Sequence, residues 1–312
     1  MKPCFPFALL ALLTLTANQF TLRAAEKFRI ASFNVENYLD APIGTRQAKP
    51  EPAKAKVRES ILAMQPDVLT LVEMGSTNAL LELQSSLKHA GLNLPYWEHV
   101  TGYDTNIHVA VLSRFPIINR HPHTNDTYLL FGRRFPVSRG FAEVGIQVNA
   151  HYQFTLLAAH LKSKRSIAEA DEADMREQEA LLLREKIEAH LTANPNLNLV
   201  VLGDFNDTKD SKSVKAILGR ASSKTGLVDT RPAERNGDNL PSENPRWDPR
   251  NIAWTHFFGK EDTYSRIDYI LLSKGMAREW IKDETYVLAT TNWGLASDHR
   301  PIVATFTAED RP

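Results

Sequence analysis

The sequence has little cysteine and no long apolar segment. Its one cysteine, Cys4, lies before an apolar run rather than at its end, so it lacks the position of a lipid-attachment cysteine. Disulfides, thiolate catalysis and cysteine-ligated zinc are therefore excluded for the chain after this run, which leaves His, Asp, Glu and Asn as metal-binding groups. No segment reaches about 18 consecutive apolar residues, so stable membrane insertion is not expected.

The first 25 residues have the layout of a secretory signal peptide. Lys2 precedes an apolar run at 7–15, and small residues end the segment at Ala25. This order of charge, apolar core and small residues predicts that residues 1–25 are removed. The mature protein, residues 26–312, is then expected to be secreted or periplasmic.

A strong basic field is also absent. Without Lys2 and Arg23, the chain has 35 basic side chains against 37 acidic ones. Proteins that bind nucleic acid mainly by neutralising phosphates are usually basic, so a polynucleotide would have to be bound through a local patch and bound cations. Internal repeats, low-complexity tracts and Gly/Ser linkers are missing too, and a single domain is expected over residues 26–312.

Short apolar runs alternate with amphipathic stretches along this domain. The amphipathic stretches predict helices over 53–64, 78–90 and 168–191. A hairpin is expected around 149–152, so antiparallel pairing is mixed with crossover connections, and two packed mixed sheets flanked by helices fit better than one parallel sheet. The apolar runs predict strands over 28–33, 68–72, 109–112, 141–148, 154–159, 199–202, 267–272 and 302–306.

Polar side chains recur where these strands end. Taken singly, an Asn or Asp after a strand is usually a turn or cap residue. So many carboxylates, amides and histidines at strand ends together predict one convergent cleft. The residues are Asn34, Glu73, His160, Asp204, Asn206, Asp268, Asp298 and His299.

This combination suits phosphoryl chemistry. A hard cation prefers oxygen ligands, which Asn34, Glu73 and Asp298 can supply. A histidine held by a carboxylate can act as a base or a cation near neutral pH, while Asp204 and Asn206 can orient an attacking water. Mg²⁺ or Mn²⁺ is the expected cofactor, and Ca²⁺ is also possible.

Six segments, ASFNVENY, PDVLTLVEM, AAHLKS, VVLGDFND, SRIDYILL and ASDHRPI, follow one another in this order. They resemble the successive signatures of the endonuclease/exonuclease/phosphatase superfamily, in a form typical of secreted bacterial members. That superfamily includes DNase I-like nucleases, abasic-site endonucleases, sphingomyelinases and inositol phosphatases. The resemblance implies an α/β fold, a four-layer α/β sandwich in which two mixed β-sheets pack face to face and are flanked by helices.

The resemblance also implies a role for each matching residue. Whether Asp204 or the pair of His299 and Asp268 removes the proton stays open. The implied roles are Asn34, Glu73 and Asp298 around the metal, His160 and Asn206 on the scissile phosphate, Asp204 on the attacking water or leaving group, and His299, oriented by Asp268, as base or phosphate stabiliser.

The sequence departs from the superfamily pattern just before HVAVLS. Many bacterial and nucleolytic members carry an Arg or Tyr there that contacts the substrate phosphate, whereas this chain has Thr105 and Asn106. Asn106 can donate a hydrogen bond but brings no charge. Phosphate binding is therefore also assigned to Arg139, with Arg133 or Arg134 as further possibilities in the segment FGRRFPVSRG.

The leading interpretation is a divalent-metal-dependent phosphoesterase that hydrolyses phosphodiester bonds of nucleic acid, as an endonuclease or exonuclease, by in-line attack of water. The alternative is a phosphatase, or a phosphodiesterase acting on a lipid or small molecule, on the same fold. A non-catalytic binding module should have lost a metal ligand or the His–Asp pair, and all of these residues are present. The sequence shows no obligate protein partner.

Overall fold

The computed structural model describes residues 26–234 and 253–309, and the predicted signal peptide lies outside them. The eight strands and three helices that the apolar and amphipathic patterns predict are all present, together with further strands and short helices. In chain order the elements are β1 (Lys27–Tyr38), α1 (Glu51–Met64), β2 (Val68–Met74), α2 (Thr77–His89), β3 (Tyr96–Val100), β4 (His108–Ser113), β5 (Ile117–Arg120), β6 (Thr127–Leu130), β7 (Arg133–Pro136), β8 (Phe141–Asn149), β9 (Tyr152–His160), α3 (Glu172–Ala193), β10 (Leu199–Asp204), α4 (Lys212–Leu218), β11 (Val228–Asp229), β12 (Ala233–Glu234), β13 (His256–Phe258), β14 (Thr263–Ser265), β15 (Asp268–Leu272), α5 (Met276–Glu279), β16 (Trp280–Val287), a 3₁₀ turn (Trp293–Leu295) and β17 (Ile302–Thr307).

Most strands belong to two large mixed sheets. The first has seven strands in the order β12-β16-β17-β1-β2-β4-β3, and the second has six in the order β11-β15-β10-β9-β8-β5. Each contains a parallel pair, β1 with β2 and β9 with β10, among antiparallel neighbours. Two small hairpins, β6–β7 and β13–β14, stand apart from the sheets. The expectation of two mixed sheets flanked by helices is confirmed.

Three apolar layers hold four structural layers together. On β1, Phe28 and Ile30 pack between the two sheets, whereas Ala31 and Phe33 face α1 and α2. Side chains alternate between the faces of a strand, and both faces of β1 are covered, so its apolar residues point to both sides rather than to one. The six-stranded sheet packs its other face on α3 and α4, through side chains such as Val201.

Helix termini and length fit this arrangement. The side chain of Asp171 accepts hydrogen bonds from the backbone N–H groups of Ala173 and Asp174, which caps the start of α3. Ser76 caps α2 in the same way through Ala79. Among the described residues, no helix combines the length and apolar character needed to cross a bilayer.

A buried carboxylate ties α3 to the six-stranded sheet. Glu143 on β8 accepts hydrogen bonds from His123 at 2.8 Å and from His190 of α3 at 2.9 Å. Burial opposes ionisation of Glu143, but these hydrogen bonds outweigh it and lower its pKa to about 2. The hydrogen bond to Glu143 raises the pKa of His190 in turn.

These shifts predict a pH window for the stabilising effect of Glu143. The contribution of the carboxylate is present above its ordinary pKa of 4.5 and is lost as the pH falls towards 2. The contribution of His190 is present below 6.5 and is lost as the pH rises through its raised pKa. Glu143→Gln should therefore lower the free energy of unfolding by about 1–3 kcal/mol near pH 5.5, and by less near pH 8.5. Urea denaturation at the two pH values measures this, and an equal loss at both would contradict the ionic account.

Candidate active site

Strand register collects three polar side chains on the six-stranded sheet. Asp204 ends β10 and lies beside His160, which ends the parallel strand β9. On its other side Asp204 lies opposite Asp268, which begins the antiparallel strand β15. All three side chains are buried. Two acidic groups and a histidine are thus brought together by backbone pairing alone.

The glycine before Asp204 makes this register possible. Gly203 has φ 130°, and a Cβ atom there would lie 2.0 Å from the carbonyl oxygen of Ala159. No other residue fits at that distance, so strands β9 and β10 can pair closely up to their ends only with glycine. This accounts for the glycine in the segment GDFND.

The seven-stranded sheet supplies Asn34 and Glu73 from irregular strand ends. The pairing of β1 with β2 shifts register after Asn34, and Glu73 has φ 62°, in the left-handed region. The backbone N–H of Asn37 donates to the Glu73 carboxylate at 3.0 Å and fixes it. The amide nitrogen of Asn34 donates to Asp204 at 3.0 Å, which joins the two sheets across the site.

His299 enters between these groups from the segment before β17. Its Nδ1 donates to Asp268 at 2.8 Å, and its Nε2 lies 3.7 Å from Asp204. The hydroxyl of Ser297 accepts from the backbone N–H of His299 at 3.0 Å and donates to the carbonyl oxygen of Asn34 at 2.7 Å. These contacts fix the imidazole with Nε2 directed towards the carboxylates of the site.

Burial and neighbouring charge separate the titrations of these groups. Burial raises the pKa of Asp204 to about 7, and the charge of Asp268 adds to it while His299 opposes it. Burial disfavours the charged form of His299, but Asp268 and Asp204 outweigh this and raise its pKa to about 10. Burial, with Arg139 adding to it, lowers the pKa of His160 well below its usual value. At neutral pH the site therefore holds a cationic His299 and a neutral His160.

Carboxylates crowd the mouth of the site, where a divalent cation would offset their charge. The side chains of Glu73 and Asp298 are 20% and 43% exposed, unlike the buried groups behind them. Burial raises the pKa of Glu36, and the charges of Asp298 and Glu73 add to it, with Lys49 only partly opposing them. Partly exposed carboxylate oxygens of this kind are the ligands that Mg²⁺ and Mn²⁺ prefer.

The amide of Asn34 is turned away from the role of an oxygen ligand. Its Oδ1 accepts a hydrogen bond from the backbone N–H of Glu36 at 3.0 Å, and its Nδ2 lies 3.5 Å from Glu73. Ligation through oxygen requires the amide to rotate. The ligand set of Asn34, Glu73 and Asp298 stays a prediction; Asn34 is buried, behind the partly exposed side chains of Glu73 and Asp298.

The groups expected on the phosphate lie beside His160. Asn206 and Arg139 both donate to the carbonyl oxygen of Leu161, at 3.0 and 3.2 Å. The backbone N–H of Asn206 also donates to Asp204 at 2.8 Å, which the φ of 54° at Asn206 permits. The amide nitrogen of Asn206 carries a second hydrogen, and the guanidinium of Arg139 carries four more, so each retains donors for a phosphate oxygen.

Asn106 lies one step further out. It lines a cleft of about 430 Å³ together with Arg46, Asp104 and Arg165. Asp104 connects this cleft to the site, because its carboxylate lies 3.8 Å from Nε of Arg139 and 3.7 Å from Arg46. Substrate binding by Asn106 and Arg139 stays a prediction.

Sequence reasoning missed several residues that the structure brings to the site. Glu36 carried no signal from strand alternation, because its backbone is in the left-handed region, with φ 43°, and the strand register shifts after Asn34. Arg46, Lys49 and His256 gave no such signal, since they come from loops or from a strand of three residues. His256 lies against Asp298 and His299.

The sequence from residue 31 to residue 299 matches the model of the Endonuclease/Exonuclease/phosphatase family. This range includes every side chain of the cluster described above. The chain belongs to this family. Members of the family are divalent-metal-dependent phosphoester hydrolases. A comparison with curated protein sequences found no match to the chain.

Solved structures share the fold of this family member at low sequence identity. The human nocturnin catalytic domain with bound sulfate is 19% identical, with a TM-score of 0.62 over 91% of this chain and 95% of that one. Sphingomyelinase C from Streptomyces griseocarneus is 18% identical, with a TM-score of 0.60 over 90% and 100%. A 3′ phosphatase from Neisseria bound to product DNA hairpin is 18% identical, with a TM-score of 0.58 over 89% and 99%.

The ion pair of His299 with Asp268 gives a prediction for the family site. Asp268→Asn removes the charge that most raises the pKa of His299, so the imidazole should titrate at a pH about 1 to 3 lower than in the wild type. The ring chemical shifts of His299, followed by NMR in metal-free protein, measure this. Glu143→Gln is the control, because Glu143 is hydrogen bonded to His123 and His190 rather than to His299, and it should leave the titration of His299 unchanged. An unaltered titration in Asp268→Asn would refute the ion-pair account.

Proposed function

We propose that this chain is a secreted or periplasmic phosphodiesterase that cleaves nucleic acid with the help of Mg²⁺ or Mn²⁺. The observation that carries the proposal is the buried pair of His299 and Asp268 beside Asp204, directly behind an open mouth of carboxylates. A fixed imidazolium next to an acid of near-neutral pKa provides both charge stabilisation and proton transfer. Family membership and the predicted signal peptide support the proposal.

We assign the proton transfer that the sequence left open to Asp204. Asp204, with a pKa of about 7, can accept a proton from an attacking water at neutral pH. His299 is held as a cation by Asp268, and so it can stabilise negative charge on the phosphate through Nε2. His160 stays neutral, and it can donate a hydrogen bond to the phosphate without adding charge.

The remaining residues would bind the substrate phosphate and the divalent ion. Asn206 and Arg139 would hold the non-bridging oxygens beside His160. Glu73 and Asp298 would hold the divalent ion, with Asn34 after rotation of its amide. When bound, the ion would supply charge neutralisation at the phosphate. In-line attack requires the phosphate to lie between Asp204 and the mouth. As the water oxygen bonds to phosphorus and Asp204 takes its proton, the bond from phosphorus to the leaving oxygen on the opposite side breaks, and that oxygen takes a proton from solvent.

Nucleic acid is the proposed substrate because cations line the cleft next to the site. Arg46 and Arg165 border the cleft that Asn106 lines. Asp104 also lines this cleft and lies 3.8 Å from Arg139, which is next to the proposed place of the reacting phosphate. A row of cations beyond the reacting phosphate suits a polymer with further phosphates. A structural neighbour, the 3′ phosphatase from Neisseria, holds a product DNA hairpin on the same fold.

One observation favours a lipid phosphodiester as the second candidate substrate. The β6–β7 hairpin exposes Leu129 at 61% and Phe131 at 79%, next to the exposed Arg133 and Arg134. Apolar side chains beside basic ones suit an anionic membrane surface. A sphingomyelinase is among the structural neighbours.

Loss of the imidazolium gives the first test. His299→Ala should lower turnover on plasmid or single-stranded DNA by about 10²–10⁴-fold in the presence of Mg²⁺ or Mn²⁺, and EDTA should abolish it. The assay follows nicking and product length against RNA, bis-p-nitrophenyl phosphate, p-nitrophenyl phosphate and sphingomyelin vesicles. Hydrolysis of vesicles without cleavage of polynucleotides would shift the assignment to the lipid substrate, and equal turnover by His299→Ala would contradict the mechanism.

Truncation of Arg139 gives the second test. Arg139→Ala removes charge-assisted hydrogen bonds to the phosphate and should lower kcat/KM by about 10- to 100-fold. Arg139→Lys keeps the charge without the planar fork and should recover only part of this loss. Steady-state kinetics on one DNA substrate measures both variants, with melting temperature as the check on folding, since Arg139 is buried. Unchanged KM and turnover in Arg139→Ala would remove Arg139 from the site.

A further inference from the structure

A histidine that the proposed chemistry does not use lies against Asp298. Nε2 of His256 is 3.6 Å from Oδ2 of Asp298, and its ring centroid is 4.5 Å from that of His299. The side chain of His256 is 16% exposed, so it borders the mouth rather than the interior. The position is therefore open to a solvated ion.

Backbone pairing fixes His256 at this position. His256 forms an isolated antiparallel bridge with His299, and the backbone N–H of Phe257 donates to the carbonyl oxygen of Asp298 at 3.0 Å. On its other edge, β13 pairs with β14, opposite Ser265. The main chain thus places His256 and Asp298 side by side.

That spacing is long for a hydrogen bond, fits a loose ion pair, and also fits two ligands of one ion. A donor and acceptor 3.6 Å apart are not hydrogen bonded. Two ligand atoms about 2.1 Å from one tetrahedral ion lie about 3.4 Å apart. Nε2 of the neighbouring His299 lies 3.9 Å from the other carboxylate oxygen of Asp298, Oδ1, and it stays outside the proposed ligand pair because Asp268 holds it protonated.

We propose that His256 and Asp298 together bind a divalent ion of the late first transition row, such as Co²⁺, Ni²⁺ or Zn²⁺, in preference to Mg²⁺. Imidazole nitrogen is a favoured ligand of these ions, whereas Mg²⁺ takes oxygen ligands and keeps its waters. The inference shares with the proposed function the placing of an ion at Asp298, and it adds a nitrogen donor that sets the choice of ion.

Binding of Co²⁺ and Mg²⁺ to the metal-free protein tests this by isothermal titration calorimetry. The wild type should bind Co²⁺ more tightly than Mg²⁺. His256→Ala should raise the Kd for Co²⁺ by about 10- to 100-fold and change that for Mg²⁺ by less than about twofold. His151→Ala, at the exposed turn between β8 and β9, is the matched control and should change neither. Equal effects of His256→Ala on both ions, or no effect, would overturn the proposal.

Proton NMR of the Co²⁺-loaded protein identifies the ligand directly. Each imidazole bound to Co²⁺ should give a strongly shifted, exchangeable N–H resonance, and one such resonance should be missing in His256→Ala and in His256→Gln but present in His151→Ala. Retention of every shifted resonance in both His256 variants would overturn the proposal. The melting temperature of each metal-free variant shows whether it is folded, and the Gln variant keeps a polar side chain in case the Ala variant is not.

The outcomes separate this inference from the proposed function. If the wild type cleaves no phosphodiester, but substitution of His256 removes a shifted resonance, the function is refuted and the ion site is supported. If the wild type cleaves DNA with Mg²⁺, but substitution of His256 leaves Co²⁺ binding unchanged, the function is supported and the ion site is refuted.

Discussion

The burial of Asp204 between His160 and Asp268 is the constraint on which the rest of the site depends. Strand pairing forces an acidic group out of water and next to a second carboxylate. An isolated buried charge is costly, so such a group must find a partner or become protonated. The partner here is His299, and the stability of the site depends on its positive charge.

The same accumulation of negative charge explains the rest of the arrangement. Behind the mouth, His299 compensates Asp204 and Asp268; at the mouth, Glu36, Glu73 and Asp298 have only the amine of Lys49 and neighbouring histidines. The interior is thus balanced by a fixed cation of the protein, whereas the remaining negative charge at the entrance suits an exchangeable one. A substrate phosphate would approach from the mouth, where an exchangeable cation rather than a side chain of the protein would offset its charge.

Much of this could be predicted from the sequence, and the limits have physical causes. Strands buried on both faces are long apolar runs, so the central strands were identified correctly, and the polar residues that follow them lie at the strand ends as expected. The strands β5 to β7 and β11 to β14 have four residues or fewer, and tertiary contacts rather than periodicity determine them. His256 and Arg46 lie in such regions, and only the folded chain shows that they approach Asp298 and Asp104. The signal peptide, secretion and the substrate stay predictions.

The hydrogen bond from Asn34 to Asp204 crosses from one sheet to the other. The two halves of the cleft are therefore aligned only as long as the sheets do not slide past each other, and the apolar layer between them sets that alignment. Because protein interiors are close-packed, the strain from a poorly fitting side chain in this layer would be transmitted to the sheets and would displace one slightly relative to the other. The activity of the site is thus sensitive to apolar packing far from its polar groups. On heating, activity should be lost at a lower temperature than that at which the strands unfold.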